Sequence, residues 1–301
     1  MKNLIRGALA LLFLSLPLPS QAAIRVLATT ADWGALTKEL GGEHVDVYTA
    51  TTAMQDVHRV EAKPSLVARA RTADLLVANG AELEVGWLPV LLQESGNPKI
   101  QRGMPGYFEA TSVVTLVEKP EKFDRAMGDI HPYGNPHIQL DPRNVAAVAK
   151  ALTARLTAID PAGADYYATR AADFGKRWSE ATARWQAKAA PLKDLPVVIM
   201  HRDQAYLCRW LGLKEIAAIE PKPGVPPSAG YLGQLVSKLS AAPPKFIMLN
   251  AYNDPKAANW LSERVHAPAV VLPFSVGGSK EAKDLFGLFD DTIDKLLGAV
   301  K

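Results

Sequence analysis

Three of the six histidines sit where an apolar or alternating run gives way to a loop. His58 lies in MQDVHRVEAKPS, His137 in GNPHIQLDP, and His201 directly after VVIM. Neutral imidazole is the commonest protein ligand for a transition metal. Three imidazoles on a rigid frame leave one coordination position, an arrangement that suits zinc. They are far apart in the chain, so only folding can bring them to one cation. Three histidines and a water also make a catalytic zinc site. However, the chain has no HExxH and no obvious general base beside a candidate ligand, so the residues favour metal capture over hydrolysis.

The elements that must position these histidines alternate between strand and helix signals, which predicts α/β architecture with mainly parallel strands. In the first half, strands are expected at 24–30, 44–50, 74–80 and, more weakly, 112–118. A helix is expected over 32–42 with Asp32 as its N-cap, and another opens at Pro64. The run 83–95 has helical periodicity, but Pro89 should kink it or push its start later. In the second half LPVVIM, EIAAIE, KFIMLN and AVVLPF read as strands, with helices at 203–211, 228–239, 255–265 and through the last apolar run.

Between these halves come a helix over 142–159 and a proline-free stretch, 164–190, rich in helix formers. Tyr167, Phe174, Trp178 and Trp185 recur along it at helical spacing. The organisation expected is a first lobe at 23–160, a linking helix at 161–191 and a second lobe at 192–301. In open α/β sheets ligands bind beyond the carboxyl ends of the strands, which is where the three histidines fall.

The first residues read as a secretion signal, 1–22: Lys2 and Arg6, an apolar run from Ala8 to Leu18, then Ser20-Gln21-Ala22. No cysteine follows that run, so a lipid anchor on cysteine is not expected, and a periplasmic location is. Removing Lys2 and Arg6 takes the formal charge from +3 to +1, too little to argue for nucleic acid. Cys208 is the only cysteine, so no internal disulfide is expected, and its aromatic neighbours predict a buried, inert thiol.

Taken together, MQDVHRVEAKPSLVARARTADLLVANGAELEVGWLPVLL, GNPHIQLDPRN and HRDQAYLCRWLGL resemble the hallmark stretches of the metal-binding receptors of zinc and manganese ABC importers, the cluster A-I solute-binding proteins. The likeness covers nearly the whole chain from Ile24 and is nearest to periplasmic zinc receptors of the ZnuA and AztC kind. It implies two α/β lobes joined by a long rigid helix, a metal buried in the cleft between them, and His58, His137 and His201 as ligands. It also implies zinc as cargo, an ABC permease as partner, a possible periplasmic zinc chaperone, and a monomer.

Manganese members usually carry a carboxylate at the third ligand position, where this chain has His201. Imidazole suits zinc, and hard oxygen ligands suit manganese. The family often adds an aspartate after the last strand, but Ser275 and Val276 occupy that place here. Asp284 is the expected fourth ligand, followed by Glu281 and then water. His131 is expected to aid metal delivery without being a final ligand. His44 and His266 are expected to be structural or solvent-facing. Glu220, Asp141 or Glu61 are the carboxylates expected to support a ligand imidazole. The alternatives are a zinc-dependent hydrolase and a manganese or chelated-metal receptor on the same fold.

Overall fold

The computed structural model describes residues 22–122 and 124–300, so all but the last residue of the expected secretion signal lies outside the described residues. The first half builds β1 (Ile24–Ala28), α1 (Ala31–Gly41), β2 (Val45–Thr49), α2 (Pro64–Thr72), β3 (Leu75–Ala78), α3 (Leu88–Ser95) and β4 (Tyr107–Glu109). These strands form one parallel sheet in the order β2-β1-β3-β4. Two helices follow, α4 (Pro142–Ile159) and α5 (Ala164–Lys188). The second half adds β5 (Pro196–Ile199), α6 (Ala205–Leu211), β6 (Lys214–Ala218), α7 (Ala229–Ser240), β7 (Phe246–Asn250), α8 (Lys256–Val265), β8 (Ala269–Leu272) and α9 (Leu285–Gly298). Its parallel sheet has the matching order β6-β5-β7-β8.

Local rules account for most boundaries. Pro64 and Pro89 fall in the first turns of α2 and α3, where a missing N–H costs nothing. Asp141 caps α4, with its side chain accepting from Arg143 N, and Ser228 caps α7 through Tyr231 N.

Two expectations are corrected. The fourth strand of the first sheet is Tyr107–Glu109, not 112–118. Residues 110–113 coil into a 3-10 turn, and Val117 crosses toward the second lobe, where its N–H meets the Tyr206 hydroxyl at 3.2 Å. Asp32 is not the N-cap of α1. That position is Thr30, and Asp32 lies buried inside the first turn.

The long helix is 25 residues, roughly 38 Å at 1.5 Å per residue. Tyr167, Phe174, Trp178, Ala181 and Trp185 are its buried stripe. It is bonded to both halves: Trp178 Nε1 donates to Pro142 O (2.8 Å), Arg170 Nε to Glu39 O (2.8 Å), and Trp185 Nε1 to Asp290 Oδ1 (2.7 Å). One core cluster runs from Trp33 and Leu36 of α1 through Trp178 and Trp185 to Phe246 and Phe289 of the second half. Separate clusters pack α2 and α3 on the other face of the first sheet, and α7 and α8 on that of the second. The shared core and the helix across it join the two sheets. Among the described residues, no helix is long and apolar enough to cross a membrane.

Candidate metal centre

His58 stands in a one-turn 3-10 helix beyond β2. Asp56 caps that turn through His58 N (3.0 Å) and also lies 2.8 Å from His58 Nδ1. A carboxylate on Nδ1 fixes that nitrogen as the donor and leaves the Nε2 lone pair for a cation. The turn itself is held by Trp87, whose Nε1 donates to Val57 O at 2.9 Å.

His137 is 4 % exposed, and its backbone N–H donates to Asn135 Oδ1 (3.1 Å). The peptide before it is gripped by Asn79, whose Nδ2 donates to Pro136 O at 2.9 Å. Asn79 is fixed in turn by Trp33 Nε1 (2.9 Å) and by buried Glu84, which accepts from Asn79 N (2.7 Å), Gly80 N (3.1 Å) and the Thr29 hydroxyl. Gly80 turns at φ +94°, where a larger residue would be strained and its Cβ would meet Glu109 Cγ at 2.1 Å and push that side chain aside. Thus Asn79, Gly80, Glu84 and Trp87 of the sequence motif anchor the two histidines of the first lobe.

His201 follows β5 on the second lobe. Its Nδ1 lies 2.6 Å from Glu220 Oε2, which also accepts from Gly224 N (2.7 Å). Fully buried Asp203, bonded to the Tyr252 hydroxyl at 2.7 Å, adds a second negative charge near His201. Burial alone would depress the His201 pKa. The Glu220 hydrogen bond and the charges of Asp203, Glu220 and Asp56 outweigh it and raise the pKa to about 9. His137 goes the other way, well below 6.5, through burial and then the neighbouring imidazoles.

The rings converge. Centroid separations are 5.6 Å for His58–His137, 6.0 Å for His58–His201 and 6.1 Å for His137–His201. His131 joins them, with its Nε2 3.1 Å from His58 Nε2 and its ring 6.3 Å from that of His137. One ligand atom from each of His58, His131 and His137 lies within 4.8 Å of the others. Nitrogens bound at about 2.0–2.1 Å around a tetrahedral zinc are roughly 3.3 Å apart; this set of ligand atoms lies within one lobe, and His201 faces it from the other lobe with its ring 6.0 Å from that of His58.

His131, expected to aid delivery without being a final ligand, is brought into the cluster itself. Its loop is drawn across the cleft, with Asp129 N donating to Pro223 O at 2.9 Å and Lys222 Nζ to Ala126 O at 3.0 Å. An open pocket of about 560 Å³ reaches His131, His137 and His201 from this side.

Asp284 is not brought to the histidines. It is exposed and caps α9, with Oδ1 accepting from Gly287 N at 2.8 Å, because a carboxylate at a helix start satisfies an orphan donor of the first turn. Glu281 is exposed as well. Among the expected supporting carboxylates, Glu220 reaches the imidazole of His201, whereas Asp141 pairs with Arg143 and Glu61 is exposed. The missed partner is Asp56; its signal was an aspartate two residues before a histidine, the spacing of an Asx turn. Cys208 is buried with its thiol pKa raised by burial. His44 stacks on Tyr166 at 4.0 Å, and His266 ends α8 in the left-handed conformation.

Two parallel α/β sheets joined by a long helix, with imidazoles from both sides meeting in the cleft, define a two-lobed metal-binding receptor. The family model for the periplasmic zinc-uptake complex component A, ZnuA, matches residues 26–299, and the chain belongs to that family of metal ABC transporter substrate-binding proteins. It is 23 % identical over 282 residues to the high-affinity zinc uptake system protein ZnuA of Bacillus subtilis (strain 168), covering 92 % of this chain and 86 % of that one. It is 21 % identical over 281 residues to the manganese ABC transporter substrate-binding lipoprotein PsaA of Streptococcus anginosus, covering 91 % and 88 %. Among solved structures, a crystal structure of ZnuA superposes with a TM-score of 0.76 at 21 % identity, covering 93 % of this chain and 100 % of that one. A Cd-bound periplasmic metal-binding protein from Candidatus Liberibacter asiaticus superposes at 0.75 with 18 % identity, covering 92 % and 99 %. The relatives thus include both zinc and manganese receptors.

Proposed function

We propose that this chain captures zinc in the periplasm and hands it to an ABC permease, with His58, His137 and His201 as ligands and His131 completing the set. The observation that carries this reading is the donor chemistry: the clustered ligand atoms are imidazole nitrogens, with carboxylates only behind them on Asp56 and Glu220. Nitrogen donors suit zinc, while manganese favours oxygen. Ligand rings fixed by carboxylates on one nitrogen are the usual supporting arrangement of a tight site. A monomer that receives its metal from a periplasmic chaperone is part of the same proposal, as is the division into lobes at 23–160 and 192–301 around the helix.

The test is metal analysis and competitive titration of the purified protein. One zinc per chain is expected, with zinc displacing manganese and manganese failing to displace zinc. His58→Ala/His201→Ala should lose stoichiometric zinc. A double variant that still holds one zinc tightly refutes the ligand assignment, and manganese preference in the wild type refutes the choice of metal.

A further inference from the structure

Where the resemblance leads one to expect a ligand carboxylate after β8, this chain has Phe274-Ser275-Val276. A carboxylate meets that turn all the same, from the other lobe. Asp32, in the first turn of α1, accepts from the Ser275 hydroxyl at 2.8 Å and from Val276 N–H at 3.0 Å. These partners are more than two hundred residues apart, and both Asp32 and Ser275 are buried, at 2 % and 8 % exposure.

The turn they fix is strained. Phe274 has φ +63°, a left-handed conformation that a bulky residue holds only when its surroundings impose it. In that conformation the Phe274 ring packs 5.6 Å from the ring of His137, across the lobe boundary, and 5.4 Å from Tyr252. Asp32, His58, His137, Phe274 and Ser275 all line one narrow, partly open void of about 20 Å³, room for roughly a single water.

Among the described residues, neither hydrogen-bond partner of the Asp32 carboxylate in the turn is basic. A carboxylate buried without a counter-charge is costly, and burial pushes its pKa up to about 6 against the opposing hydrogen bonds from Val276 and Ser275. A dication held by His58 and His137 would supply the missing charge across the shared void. We propose that Asp32 is an interlobe positioning residue: its carboxylate clasps the Phe274–Val276 turn over His137 and so sets how fast the site releases its metal. This rests on the metal-capture reading. By linkage, whatever stability the metal adds to the clasp, the clasp adds to metal affinity, and affinity differences between variants of one site fall mostly in the off-rate.

The test compares wild type, Asp32→Asn and Ser275→Ala. Zinc release is followed by stopped-flow transfer to an excess of chelator, and hydrogen exchange of the Val276 amide is followed in the metal-free and zinc forms. The proposal expects release at least tenfold faster for Asp32→Asn and several-fold faster for Ser275→Ala, with one zinc still bound at saturation. It also expects Val276 protection that rises with zinc in the wild type and rises less in either variant. Release within twofold of wild type in folded variants overturns it. If Asp32→Asn fails to fold, Ser275→Ala, which removes a single hydroxyl, decides the matter alone. A wild type that binds no zinc overturns both readings, whereas zinc-bound variants with unchanged release overturn only this one.

Discussion

Glu220 Oε2 lies 2.6 Å from Nδ1 of His201, and the same oxygen accepts the Gly224 N–H, so a single carboxylate ties the second lobe's imidazole to the loop that meets the His131 segment. Against the opposing effect of burial, this pairing and the charges of Asp203 and Asp56 raise the His201 pKa to about 9. The expected consequence is that the metal-free protein holds a proton on this imidazole at neutral pH.

Metal uptake must displace that proton. Calorimetric titration with zinc at pH 7.5, in buffers of different ionisation enthalpy, should show close to one proton released per metal from His201. Glu220→Gln should lower that number and weaken binding by about 10- to 100-fold, the usual cost of losing a supporting group. Equal heats in all buffers for the wild type would contradict a protonated His201.

The same pairing makes stability depend on pH without metal. The folded pKa of His201 lies above its unfolded value, so the stabilisation is fully present below about 6.5. It is lost as pH rises through about 9. Urea unfolding with chelator present should show the wild type's advantage over Glu220→Gln shrinking between these limits. An advantage that grew with pH would reverse the sign and sink the assignment.

Asp56 serves His58 as Glu220 serves His201, and it also caps the turn carrying the ring. Asp56→Ala should reduce zinc affinity by about 10- to 100-fold. Because the turn loses its cap, stability should fall by roughly 1 kcal/mol. Competition with a fluorescent chelator, paired with a denaturation curve, separates the two effects.

Trp178 lies 2 % exposed at the middle of α5, stacked on Phe174 with centroids 5.2 Å apart and donating to Pro142 O. Trp178→Ala should cost about 3–5 kcal/mol, read as a lower urea midpoint. The helix ties both sheets to one core, so unfolding should remain a single transition. Separate transitions for the two lobes would show that the helix does not couple them.

Much of this protein was legible along the chain. Parallel strands, proline-started helices, the aromatic stripe of α5 and three of the clustered histidines follow from hydrophobic period, turn residues and ligand type, which are local properties. The helix over 142–159 and the buried role of Cys208 could be read the same way. What the chain could not disclose depends on where distant loops meet. The 112–118 run has strand composition, but sheet space beside β3 was taken by 107–109. Asp284 has the right chemistry for a metal, yet the nearest demand on it is its own helix start. Asp32 reads as a helix cap but answers to Ser275 in the other lobe, and His131 reads as an accessory but is drawn into the cluster. Local patterning decided the elements; the choice among competing side chains awaited the tertiary structure, because a carboxylate or imidazole goes to whichever partner folding brings within about 3 Å.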